Sequence, residues 1–124
     1  MTYRKIESHR IQGGHNGIEI YAVGERGPGG ANHNYTVDYK LNNGVDRCLN
    51  IWFQNGPIPQ EGNNGITNEA LLAIVIDRLE GFQAGEFASS LNERALTGCK
   101  MALNALHDRT EERLKRGVEG KLEP

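Results

Sequence analysis

Thr67-Asn68-Glu69-Ala70-Leu71-Leu72-Ala73-Ile74-Val75-Ile76-Asp77-Arg78-Leu79-Glu80-Gly81-Phe82-Gln83 runs seventeen residues without proline. Leu71, Leu72, Val75, Ile76, Leu79 and Phe82 recur at helical spacing and predict a wide apolar face. Thr67 is placed to cap the helix and Glu69 to complement its positive end. Beyond it, Ser90-Leu91-Asn92-Glu93 reads as a capping box, with Ser90 accepting from an orphan amide and Glu93 reaching back. A second long helix therefore starts there and runs to Gly117. From Thr67 to Arg116 there is no proline and only three glycines. At 1.5 Å per residue the two helices span about 25 Å and about 39 Å, so the second overshoots the first. A second copy of the chain is expected to cover the overshoot.

Upstream the pattern changes, because 11 of the 16 glycines fall in residues 1–65 and break short alternating segments. Ile18, Ile20 and Ala22 alternate with Glu19, Tyr21 and Val23, and Tyr35, Val37, Tyr39 and Leu41 alternate with polar residues. Asn42-Asn43-Gly44 then favours a tight hairpin into a strand over Cys48–Gln54, whose Leu49, Ile51 and Phe53 share a face. Residues 2–11 add a fourth strand. Residues 55–64, with Pro57, Pro59 and two glycines, read as a connector. The expectation is an α+β fold. Residues 1–60 form an N-terminal antiparallel β meander and connector, and residues 61–124 a helical hairpin serving ligand binding and oligomerisation.

Composition excludes several classes of function. The chain has 124 residues, with Lys plus Arg 14 against Asp plus Glu 16 and a formal charge of -2. That balance lacks the basic footprint of a duplex-binding protein, so any nucleotide partner is small. No run approaches the roughly 20 apolar residues of a membrane span. Met1-Thr2-Tyr3-Arg4-Lys5-Ile6-Glu7 lacks the apolar stretch of a secretory signal, which predicts a cytoplasmic protein with no membrane partner. Cys48 and Cys99 lie far apart without a CxxC and read as reduced packing residues. His9, His15, His33 and His107 lack ligand spacing, so neither a metal nor a cofactor is expected. Motifs of the HExxH, GxSxG and P-loop types are missing, and no catalytic residue is assigned. Gly24-Glu25-Arg26-Gly27-Pro28-Gly29-Gly30 leads into a strand and reads as a mobile connection.

Two groups on the helices carry chemistry. Arg109 and Arg113 stack one turn apart on one face with Arg116 nearby. Either they complement the helix dipole and pair with Asp108, Glu111 and Glu112, or their planar forks hold a pyrophosphate. Phe82 and Asn92 flank the interhelical turn. They are the residue types that stack on an adenine and read its edge, and equally those that would complete a hairpin core and a first helical turn. Phe87, in the turn itself, is a second candidate for closing the hairpin. Seventeen residues separate Asn92 from Arg109, about 25 Å along a helix, so one small ligand cannot touch both within a chain. An antiparallel neighbour brings the arginines of one copy beside Phe82 and Asn92 of the other, giving two composite pockets per dimer.

Residues 64–79, Phe82-Gln83, Arg109-Thr110 and Arg116-Gly117-Val118-Glu119-Gly120 resemble the helical-hairpin domain shared by two groups of phage anti-defence sponges. One group sequesters the cyclic oligonucleotides of CBASS and is nearly all helix. The other acts against Thoeris and carries a β ribbon before the hairpin, as this chain does. The resemblance implies sequestration, without cleavage, of glycocyclic ADP-ribose made by a TIR-domain protein after infection. It implies that Phe82 and Asn92 hold the base end and that Arg109 and Arg113 of a second copy hold the diphosphate. It further implies a homodimer or a hexamer built from dimers, and in some members a separate site for cyclic di- or trinucleotides, for which Asn64, Thr67 and Asn68 offer polar groups. The competing readings are a small phosphodiesterase or glycohydrolase using a carboxylate such as Glu93 or Asp108, and a structural or nucleic-acid accessory protein whose basic helix end is a partner surface.

Overall fold

A computed structural model describes residues 2–14 and 17–124. Met1, which opens the segment read for a leader, and His15, one of the four unpaired histidines, lie outside them. The chain divides into two compact units, Met1–Ile66 and Thr67–Pro124.

The first unit is a four-stranded antiparallel meander in the order β1 (Tyr3–Ile6), β2 (Glu19–Val23), β3 (Asn34–Lys40) and β4 (Asp46–Trp52). Its register places Ile20 opposite Val37, Ala22 opposite Tyr35, Val37 opposite Leu49 and Tyr35 opposite Ile51. Those residues give β2, β3 and β4 a shared apolar stripe on one face. Tyr35 and Phe53 meet edge to face at 5.6 Å. Asn32 is buried, accepting from Arg4 Nη2 at 2.9 Å and donating to the Gly24 carbonyl at 3.0 Å, which ties the loop after β2 to β1. The expected hairpin turn is present. Gly44 has φ 85°, and Asn43 Oδ1 accepts from Val45 N at 3.0 Å.

Three sequence expectations move by a few residues, each for a local reason. The first strand covers only Tyr3–Ile6, because the paired register ends where Ile6 meets Ile20. β4 starts and stops two residues earlier than Cys48–Gln54, because Lys40 pairs with Asp46 across the turn and Phe53 leaves the ladder for a parallel bridge to Ile66. That bridge keeps residues 61–66 with the sheet, so the units part between Ile66 and Thr67. The connector also contains a single helical turn, α1 (Ile58–Glu61), started by prolines whose fixed φ suits a first turn and stopped at Gly62, φ 69°. Gln54, Asn55 and Asn64 knot its ends: Asn64 Oδ1 accepts from Asn55 N at 2.8 Å while Asn64 Nδ2 donates to Asn55 O at 2.8 Å.

The second unit is a hairpin of α2 (Asn68–Gln83) and α3 (Ser90–Arg116). Thr67 caps α2, its hydroxyl accepting from Ala70 N at 3.2 Å. α3 ends in a left-handed Gly117, whose amide reaches Arg113 O and Leu114 O. With 16 and 27 residues the helices are about 24 Å and about 40 Å long. Ile76 and Leu96 are buried between them, flanked by half-buried Leu72, Leu79, Cys99, Leu103 and Leu106. The wide apolar face read from the sequence therefore divides. Ile76 is buried and Leu71, Leu72 and Leu79 are half-buried, whereas Val75 and Phe82 stay exposed, joining Ile74 at 64% and Met101 at 66%. Among the described residues no helix is long and apolar enough to cross a membrane.

Candidate ligand-binding site

The turn of the hairpin is held by side chains. Ser89, not Ser90, caps α3: its hydroxyl accepts from Asn92 N at 3.0 Å. The cap sits one residue earlier than the sequence pattern predicts because two serines stand in tandem and only the first has the extended backbone, φ -152°, that a cap requires. Glu93 does not reach back to the cap amide but accepts from Gln83 Nε2 at 3.2 Å. Gln83 also pairs with the Ser89 backbone, Oε1 accepting from its N–H at 2.9 Å and Nε2 donating to its carbonyl at 3.0 Å. Asn92 Nδ2 donates to Phe87 O at 3.3 Å, leaving the amide oxygen of Asn92 without a described partner. Phe87 is 71% exposed and closes nothing. Phe82 is 38% exposed, and the Arg78 guanidinium lies over its ring at 5.2 Å. Arg78 escaped the sequence reading, although its i,i+4 spacing to Phe82 on one helix face was the available signal.

At the far end of α3 the two arginines have different fates. Arg109 is exposed, and its side chain makes no ion pair or hydrogen bond among the described residues. Arg113 is buried, its side chain 7% exposed. Its Nη1 donates to Glu123 O at 2.5 Å, its Nη2 to Val118 O at 2.8 Å and Lys121 O at 2.9 Å, and its Nε lies 3.7 Å from Glu119 Oε2. Residues 118–123 thus wrap one guanidinium. Arg116 pairs with Glu112 one turn back. Arg109 and Asn92, on one helix, stand about 25 Å apart.

Other polar groups have local employment. His9 Nε2 bonds the Ile18 carbonyl at 2.8 Å and His33 Nε2 the Pro28 carbonyl at 2.9 Å. Among the described residues no His, Cys, Asp and Glu cluster has metal-binding geometry. Cys48 is exposed on β4 rather than packed, because it alternates with Leu49 onto the polar face of the sheet. A hydrogen bond to Asp38, directly opposite on β3, raises its thiol pKa, with burial and the carboxylate charge adding to the shift. Tyr21 is raised in the same way by its bond to Glu19. Asn64 and Thr67 spend their side chains on the connector knot and the helix cap.

Residues 46–111 match a family model described as Acb2/Tad1, hairpin domain. The chain is 46% identical over 74 residues to Thoeris anti-defense 1 of Bacillus phage SBSphiJ7, an alignment covering 60% of this chain and 52% of that protein. It therefore spans about half the length of the curated relative.

Proposed function

The chain belongs to the Acb2/Tad1 hairpin-domain family, and from that premise we propose that it is a phage anti-defence sponge. It binds glycocyclic ADP-ribose made by TIR-domain proteins, keeps it intact and withholds it from the Thoeris effector, in the cytoplasm of an infected bacterial host. The working unit is a homodimer, or a hexamer built from dimers. In each composite pocket Phe82 stacks on the base, Asn92 reads its edge, and Arg109 and Arg113 of a second copy neutralise the diphosphate. The reaction is binding alone, with no catalytic residue and no cofactor.

A single separation supports this reading. The half-open ring of Phe82 on α2 and the amide of Asn92 on α3 flank the turn, and an exposed arginine whose side chain has no described partner stands about 25 Å further along α3. A long helix with an unpaired cation on its overshoot is explained when a second copy lays its own turn against it. Arg109 meets phosphate directly. Arg113 joins it by exchanging tail carbonyls for phosphate oxygens, which bind a guanidinium more strongly because they carry charge.

Titration calorimetry with glycocyclic ADP-ribose, followed by heat denaturation and chromatography of the released ligand, tests the proposal. The expected result is nanomolar affinity, roughly -12 kcal/mol, near one ligand per chain, with the ligand recovered unchanged. No heat at micromolar protein would sink the reading. Altered ligand would instead make the protein a phosphodiesterase or glycohydrolase.

A further inference from the structure

Gln83 is the last residue of α2 and follows Phe82 directly. Its carboxamide makes three hydrogen bonds within the turn. Oε1 accepts from Ser89 N at 2.9 Å, and Nε2 donates to Ser89 O at 3.0 Å and to Glu93 Oε2 at 3.2 Å. The pair of bonds with Ser89 imitates one rung of an antiparallel ladder and closes residues 84–88 into a loop. The residue it grips is the cap of α3, whose hydroxyl in turn holds Asn92 N at 3.0 Å. Glu93, the other residue it grips, is adjacent to Asn92. The far side of the loop is fastened by Asn92 Nδ2 on Phe87 O at 3.3 Å.

Neither helix needs Gln83 in order to form. α2 ends on Ala84 N to Glu80 O at 3.1 Å, and α3 carries its own serine cap. The bonds of Gln83 fix something else, namely where the first turn of α3 stands relative to the end of α2. A glutamine serves here because only a carboxamide presents an acceptor to one amide and donors to a carbonyl and a carboxylate together.

We propose that Gln83 is a positioning residue of the ligand site: it holds Ser89 and Glu93 so that Asn92 stands in register with Phe82 before the ligand arrives. The inference rests on the sequestration reading above and adds to it the origin of the pocket's preorganisation. Ordering a side chain in advance removes that cost from binding, so loss of Gln83 weakens affinity through Asn92 rather than through a contact of its own.

The test is a double-mutant cycle read by titration calorimetry with glycocyclic ADP-ribose, alongside thermal unfolding of the unliganded proteins. Gln83→Ala should weaken binding about tenfold while the far-UV helical signal is retained. In the Asn92→Ala background the same change should cost less than twofold. Gln83→Glu keeps the acceptor for Ser89 N but loses both donors and faces Glu93 with like charge, so it should bind at least as weakly as Gln83→Ala. Adding Glu93→Gln supplies a donor from position 93 to the carboxylate at 83 and should recover part of the affinity. Wild-type affinity in Gln83→Ala, equal losses in both backgrounds, or loss of the helical signal would each overturn the inference while leaving the sponge reading intact. A wild-type protein that binds no ligand would instead overturn the sponge reading, and the inference with it.

Discussion

Arg109 and Arg113 are the same residue type one helical turn apart, and the unliganded chain surrounds them differently, so Arg113 carries a structural role that Arg109 does not. Arg109 is exposed, so Arg109→Ala is expected to leave stability unchanged and to remove on the order of 2 to 4 kcal/mol of ligand affinity. Arg113 is buried against Glu119 and three tail carbonyls, so Arg113→Ala leaves the Glu119 carboxylate without its ion-pair partner and those carbonyls without their donor. It is expected to lower unfolding free energy by about 2 to 3 kcal/mol in urea denaturation. Equal stability of the two variants would contradict this division. Cys48 offers a second contrast at this scale. Its thiol is held above its ordinary pKa by Asp38, so less of it is thiolate near pH 8 and alkylation is slow. Asp38→Asn removes the charge and weakens the acceptor, the pKa falls, and alkylation at that pH should quicken. An unchanged rate would show that Asp38 does not control the thiol.

Among the elements, α3 starts where a backbone conformation decides between two adjacent serines. Ser89→Ala should cost about 1 kcal/mol of stability and Ser90→Ala a few tenths, a difference that chemical denaturation resolves. Had Ser90 been the cap, the order would reverse. Gly65 shows a different constraint, imposed by the bridge between Phe53 and Ile66. A Cβ built on Gly65 would lie 2.6 Å from Trp52 O and closer still to the Phe53 carbonyl carbon, all backbone atoms that cannot rotate away. Gly65→Ala is therefore expected to destabilise the first unit by about 1 to 3 kcal/mol, visible as an earlier loss of Trp52 fluorescence in urea. Retention of the wild-type midpoint would mean the connector yields freely.

At the scale of the whole molecule, the described buried apolar residues are Ala22, Val23, Ile76 and Leu96, while Ile74, Met101 and Leu114 on the hairpin are each more than 60% exposed. The association proposed above covers such residues with a second copy. Sedimentation equilibrium should give the mass of a dimer or a multiple of it. Met101→Glu, which sets a charge midway along the exposed side of α3, should shift that mass toward the monomer and weaken ligand binding with it. A monomeric wild type that still binds tightly would remove the composite pocket.

The order and type of the long elements are legible in the residues alone, because each carries its own periodicity and punctuation. Apolar alternation and Asn43-Gly44 set the β3–β4 hairpin, Thr67 set the start of α2, and Gly117, the residue that accepts φ 74°, set the end of α3. The lengths of the two helices followed, and with them the separation of Phe82 and Asn92 from the arginines. How each side chain is spent emerges on folding. Which serine caps, which of two stacked arginines the tail encloses, and whether Gln83 faces water or grips Ser89 all depend on contacts between residues that periodicity treats as equivalent. Local pattern fixes the face on which a residue stands; only the folded chain fixes the partner it meets there.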